Sequence, residues 1–205
     1  MNTANPASKV KNLNVDNERE RFLTKDELTM ILDEVRDNEQ LYIFTLLSIT
    51  TGGRIGAINA LQKKDIDLKN KIVNIKDEKN NETYKAFIEH KALLELLATR
   101  LKTLKANDYV LMFDKKDYKQ IIERRMRTIL NKLFNKDIEP SDRKNRVVVH
   151  TLRHTFASQL AINGTPIFTI QKLMNHKDIK MTMRYAKLAP DSGRDAVKSI
   201  FEILA

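Results

Sequence analysis

Apolar side chains recur along this chain with two different periods, and the switch between them marks its parts. After Thr24-Lys25-Asp26-Glu27, the residues Leu28, Ile31, Leu32 and Val35 fall three and four apart, the spacing of one helix face. Thr24 with Glu27 three positions on has the spacing of a capping box. Leu41 to Thr50 carries Ile43, Phe44, Leu46, Leu47 and Ile49 with little polar face, which predicts a central buried helix. Gly52-Gly53 should end it ahead of Arg54, and a short helix from Ile55 to Leu61 follows. From Asp65 to Ile88 the period changes. Ile66 and Leu68, then Ile72, Val73 and Ile75, then Ala86, Phe87 and Ile88 form short runs parted by polar turns at Lys69-Asn70 and Asp77 to Thr83. They predict a small antiparallel sheet of about three strands. Helical spacing returns over His90 to Leu104 and Tyr118 to Phe134, the latter burying Tyr118, Ile122, Met126, Ile129 and Leu133. A strand-like Val147-Val148-Val149 precedes four further helices: Thr151 to Ile162, Ile167 to Met174, Ile179 to Ala186 and Ser192 to Leu204. The fold class is mainly α (α+β), a multi-helix domain with one small antiparallel sheet.

Composition narrows the class. The chain has 205 residues, 37 Lys+Arg against 27 Asp+Glu, a net charge of +10 and no cysteine. A disulfide scaffold, a Cys-ligated zinc site and thiol catalysis are excluded. No apolar run approaches the ~20 residues of a membrane span, and Met1 to Lys11 lacks the apolar core of a secretion signal. The expectation is a soluble cytoplasmic domain. Its excess positive charge favours a polyanionic partner, nucleic acid above all. Arg124, Arg125 and Arg127 give the Tyr118 to Phe134 helix a basic side suited to DNA backbone.

Unusual residues concentrate in the last third. His150-Thr151-Leu152-Arg153-His154 packs two imidazoles and a guanidinium into five positions, and His176 and Tyr185 follow. Arg54 is equally odd, a charge placed directly after a glycine turn that leaves a buried helix. Three readings compete. His150 and His154 have the i, i+4 spacing of helical zinc ligands, but Arg153 would sit beside the metal and no carboxylate lies near. A helix-turn-helix over Leu152 to Ile162 and the helix from Ile167 would explain the charge, leaving Arg54, His176 and Tyr185 unused. Phosphoryl transfer on nucleic acid uses them all: arginines clamp a phosphodiester, imidazoles donate hydrogen bonds and a tyrosine hydroxyl attacks phosphorus.

The residues then match a known pattern. Thr51-Gly52-Gly53-Arg54-Ile55 resembles the first arginine motif of the tyrosine recombinases, the phage integrase family. His150-Thr151-Leu152-Arg153-His154-Thr155-Phe156-Ala157-Ser158 resembles the second, Leu173-Met174-Asn175-His176 the third, and Thr182-Met183-Arg184-Tyr185-Ala186 the nucleophile box. Order and spacing agree over residues ~21 to 190. The resemblance implies a site-specific DNA recombinase or integrase catalytic domain. Tyr185 would form a 3′-phosphotyrosyl link, with His150 as acid/base. Arg54 and Arg153 would hold the non-bridging oxygens, and His176 would add a hydrogen bond. Lys79, or alternatively Lys76, would be the hairpin lysine that protonates the leaving 5′-oxygen. No cofactor or metal is implied. The partner would be double-stranded DNA, with a homo-tetramer on DNA and a monomer without it. A non-catalytic helix-turn-helix protein or an inactive family member is the alternative.

Departures sharpen the expectations. The family's acid three positions after the first arginine is Ala57 here, so either another carboxylate substitutes or Arg54 is held differently. Asn175 stands where glycine is usual, which a left-handed turn tolerates. Lys187 stands where histidine is common. His154 reads as a structural residue of its helix. Residues 1–20 read as a linker or arm that would follow a separate core-binding domain, with the catalytic domain at 21–205. Its helix at 192–205 would dock on a neighbouring protomer.

Overall fold

The computed structural model describes residues 21–77, 82–112, 118–191, 193 and 197–198. The arm at 1–20 and the turn residues 78–81 lie outside these, as does nearly all of the 192–205 helix. Helix α1 (Lys25–Val35) opens with both bonds of the expected capping box. Thr24 Oγ1 accepts from the Glu27 N–H at 3.2 Å, and the Thr24 N–H donates to Glu27 at 2.9 Å. Helix α2 (Glu39–Thr51) is the hub. Asn38 caps it, and Leu41, Ile43, Phe44, Leu46 and Leu47 are buried among α1, α3 (Ile55–Asn59), α4 (Lys91–Leu101) and α6 (Val149–Ile162). Its near-uniform apolarity follows from being covered on all sides.

The sheet is a three-stranded antiparallel meander in the order β1 (Ile66–Asp67), β2 (Ile72–Asp77), β3 (Glu82–Phe87). Its register pairs Val73 with Ala86, Ile75 with Tyr84 and Asp77 with Glu82. The β2 and β3 strands run past their apolar residues into the polar stretch expected to be turn. Alternation along β2 turns Val73, Ile75 and Asp77 to the buried face, and Asn74 and Lys76 away from it. An acid therefore occupies a core-facing position.

Helix α5 (Tyr118–Phe134) matches its expected bounds. Its fully buried stripe is Ile122, Met126 and Leu130, with Ile129 and Leu133 at the edge of the core. The side chain of Tyr118 lies outside the described residues. The expected His90 to Leu104 helix is shorter, because His90 caps α4: its Nδ1 accepts the Leu93 N–H at 3.3 Å.

Two expectations fail for physical reasons. Val147-Val148-Val149 is not a strand, because Val149 already opens α6. The Asn135 side-chain amide takes the place of a neighbouring strand, accepting from the Val147 N–H at 2.9 Å and donating to its carbonyl at 2.8 Å. The Ile179 to Ala186 helix also breaks up. Helix α8 spans only Lys180–Met183, and a 3-10 turn at Ala186–Leu188 follows. Tyr185 sits at the junction, its N–H bonded to the Thr182 carbonyl three residues back at 2.9 Å.

Buried side chains fall into two clusters. The larger joins α1 to α5, the sheet and Leu152. The smaller holds Ala157, Ala161, Ile170, Met174 and Tyr185, against which Phe156, Leu160, Ile167 and Leu188 pack. Helix α6 supplies residues to both, and its Thr155 hydroxyl accepts the Leu23 N–H at 3.0 Å. Among the described residues no helix is long and apolar enough to cross a membrane.

The joint between the clusters is the turn after α2. Gly52 has φ of 62°, and a side chain there would overlap the Phe156 ring. Gly52→Ala combines left-handed strain with a steric clash, and should lose about 2–4 kcal/mol of unfolding free energy in urea titrations.

Candidate active site

The α2 turn delivers the first arginine. Thr51 Oγ1 accepts the Gly53 N–H at 3.2 Å, and a side chain on Gly53 would overlap Ile58. Arg54 then leaves in extended conformation as the residue before α3. Its Nη1 donates to Asp77 Oδ2 on β2, and Asp77 is 2% exposed. The expected alternative, another carboxylate in place of an acid at Ala57, is what the fold contains.

Helix α6 delivers the second arginine. Arg153 is 3% exposed, and donates Nη1 to the Gly52 carbonyl and Nη2 to the Met174 carbonyl. The Tyr84 phenol lies close enough for the two groups to shift each other's proton affinity. Burial, reinforced by the Arg54 charge, lowers the Arg153 pKa to about 10, so it stays cationic at neutral pH. Two guanidiniums thus share one small region with, among the described residues, a single buried carboxylate.

The imidazoles take different environments along one wall. His150 is exposed at the start of α6, and its ring meets His154 edge-on at 4.9 Å between centroids. His154 is buried, with Nδ1 2.7 Å from the Tyr185 hydroxyl. It therefore touches the expected nucleophile, a contact that reading it as a helix-packing residue missed. His176 follows Asn175, whose φ of 48° realises the expected left-handed turn. Its Nδ1 lies 2.9 Å from Thr182 Oγ1. Burial, then the charges of Arg153 and Arg54, push its pKa down to about 3. His176 is a neutral hydrogen-bonding group at any ordinary pH.

Tyr185 is 4% exposed, its ring in the smaller apolar cluster. Burial raises its pKa, and the charges of Arg184 and Arg153 oppose that rise. The phenol sits at the edge of a cleft of about 360 Å³ lined by His150, Arg153, His154, His176, Lys180, Met181, Arg184 and Tyr185. Four of the expected site residues, His150, Arg153, His176 and Tyr185, line one cavity although 35 positions separate the first from the last. Arg54 stands beside them, close enough for its charge to depress both Arg153 and His176.

Lys79 lies outside the described residues. Lys76, its alternative, is exposed on β2 opposite Thr83. Arg124, Arg125 and Arg127 are exposed on α5, where Arg124 and Arg127 line a separate open hollow and Arg127 pairs with Glu123 at 3.0 Å. The zinc reading finds no group of three potential ligands among the described residues. Sequence reasoning missed Asp77 and His154. The first was signalled by alternation, since it continues the inward series of Val73 and Ile75. The second had no sequence signal, because the tyrosine reaches it through a broken helix.

An arrangement of cationic arginines, neutral imidazole and phenol suits a phosphate whose charge grows during displacement. Comparisons agree. Residues 21–191 match the model of the phage integrase family. The tyrosine recombinase XerA of Saccharolobus solfataricus is 32% identical over 175 residues, covering 85% of this chain and 55% of that protein. The catalytic domain of bacteriophage HP1 integrase has the same fold, with a TM-score of 0.61 at 24% identity, over 86% of this chain and 93% of that one. XerH recombinase, solved bound to its difH substrate, superposes with a TM-score of 0.67 at 18% identity, over 94% of this chain and 58% of that one. The chain spans about half the length of curated relatives such as XerA and the phage P2 integrase.

The depressed His176 pKa carries a sign for stability. The unfolded imidazole protonates near 6.5 and the folded one near 3, so the unfolded chain binds the extra proton first. Stability from this residue is intact above about pH 6.5 and is lost as pH falls toward 3, damped by partial solvation. Urea titrations from about pH 7.5 to about pH 4.5 should show a shallower acid loss in His176→Asn than in the parent.

Proposed function

Because the chain belongs to the phage integrase family, we propose that its cleft breaks and rejoins DNA strands at specific sites through a covalent tyrosine intermediate. The observation that carries this reading is the gathering of His150, Arg153, His176 and Tyr185 on one cleft beside Arg54. In the first step the Tyr185 oxygen attacks phosphorus and the bond to the 5′-oxygen breaks. A 3′-phosphotyrosyl link forms and a 5′-hydroxyl departs. Arg54 and Arg153 hold the non-bridging oxygens and balance the charge of the five-coordinate transition state. His176, uncharged, adds a hydrogen bond without competing for the anion.

A buried phenol of raised pKa needs a proton acceptor. His150 is the acid/base of this reading, while His154 holds the hydroxyl in the resting cleft. Lys79 is the proposed donor to the leaving 5′-oxygen. In the return step the 5′-hydroxyl of a second strand attacks the phosphotyrosine, and the proton passes back to Tyr185. One phosphodiester is exchanged for another, so no ATP is consumed. Double-stranded DNA is the substrate, and a homo-tetramer on DNA, from monomers in its absence, supplies the four cuts of a full exchange. The exposed arginines of α5 would hold DNA backbone and not read bases. The proposed setting is DNA in the cytoplasm.

The helix-turn-helix alternative has less support. Helix α6 turns Arg153 and His154 inward, to carbonyls and to Tyr185, not outward to a groove.

A pool of nicked duplexes with randomised arms tests the chemistry, because the nick lets the 5′ fragment diffuse away and traps the adduct. A denaturant-stable protein–DNA adduct should form and vanish in Tyr185→Phe. No adduct with the parent, or one that survives the substitution, overturns the reading. Replacing Arg124, Arg125 and Arg127 together by Ala should lower the salt slope of DNA affinity by up to about 3, since each phosphate contact contributes ~0.9.

A further inference from the structure

We infer that Asp77 is the positioning residue for Arg54, taking over from strand β2 a task that helix α3 leaves undone at Ala57. The inference rests on the strand-cleavage reading above. Asp77 is the one buried carboxylate among the described residues, in a row whose other members, Val73 and Ile75, are fully buried core. An ionised group there costs heavily in desolvation unless it is paired. It pairs with Arg54, whose side chain is 20% exposed against 3% for the acid.

The need for such a partner follows from the charges around it. Arg54 stands close enough to the buried Arg153 guanidinium to depress it. Two cations held this near each other in a poorly solvated site repel, and the more exposed one would swing out. Arg153 cannot move, because it is tied to the Gly52 and Met174 carbonyls. Arg54 is the less buried member, and Asp77 supplies the charge that holds it in place.

Position 57 cannot do the same. It is Ala57, 4% exposed and packed in the main core one turn along α3. Asp77 accepts from Nη1, and the guanidinium carries five N–H donors in a planar fork. The remaining donors can face phosphate oxygens while the carboxylate fixes the plane. The neighbouring strand β3 reaches the segment after His176. Glu82, opposite Asp77 in the register, pairs at 3.4 Å with Lys177, the residue after His176.

Single-turnover adduct formation on a nicked duplex tests this, with thermal melting read in parallel. Asp77→Asn should slow cleavage about 10- to 100-fold, the loss seen when the partners that orient metal-binding side chains are removed and taken here for an arginine held the same way, and leave the DNA concentration for half-maximal rate within about 3-fold. In an Arg54→Ala background the same change should slow cleavage less than about 2-fold, because effects that pass through one residue do not add. Asp77→Glu, which keeps the charge, should recover part of the rate, and it stands in where Asp77→Asn fails to fold. A merely structural Asp77 would lower the melting temperature and leave the rate per folded molecule unchanged. That result overturns the inference, as does a full Asp77→Asn defect in the Arg54→Ala background or an Asp77→Glu no faster than Asp77→Asn. Absence of any Tyr185-dependent adduct in the parent overturns the cleavage reading instead, so the two failures are distinguishable.

Discussion

The buried guanidinium of Arg153 is the interaction on which the rest of the site depends. It bonds the carbonyl of Gly52, where α2 ends, and that of Met174, where α7 (Ile167–Leu173) ends. Both carbonyls belong to helix C-termini, which carry partial negative charge and lack an intrahelical partner. One side chain thus satisfies two helix ends and fixes the larger apolar cluster to the smaller. A buried cation without such partners would be destabilising.

That placement sets the electrostatics of its neighbours. The guanidinium helps to depress the Tyr84 and Tyr185 phenols against the rise that burial causes. It pushes His176 in the opposite charge sense, toward neutrality. The outcome is a division of labour within one cleft. Permanent cations provide charge, and the imidazole beside them provides a hydrogen bond. Perturbed groups gathered in a cleft are the mark of a site built for chemistry. Here burial comes first in every case, and the positive field of the arginines adds to it at Arg153 and His176 and opposes it at Tyr185.

Local order was legible where it depends on neighbours in the chain. The Thr24 capping box, the Gly52 break, the left-handed turn at Asn175 and the bounds of α5 all follow from residues a few positions apart. Errors came where a distant group decided the outcome. Val147-Val148-Val149 looks like strand from its run of valines, yet the Val147 backbone pairs with the Asn135 side chain and Val149 opens α6. Tyr185 looks like one residue of an amphipathic helix, yet the helix breaks around it so that its ring fills a space between α6 and α7. A periodicity argument has no access to either event.

The sequence by itself determined which residues are candidates for the site. Arg54, His150, Arg153, His176 and Tyr185 are odd residues for their local settings, and their order and spacing carry a recognisable pattern. Caps, glycine turns and apolar spacing likewise determined most of the helices and the sheet, because these are short-range effects. Only the tertiary structure decided who touches whom. It paired Arg54 with Asp77 across 23 positions and His154 with Tyr185 across 31. Burial and the field of other charges control how each group behaves, and both are sums over the whole packed molecule. For that reason the five candidate residues could be read from the chain, while Asp77, His154 and the partners and protonation of each group could not.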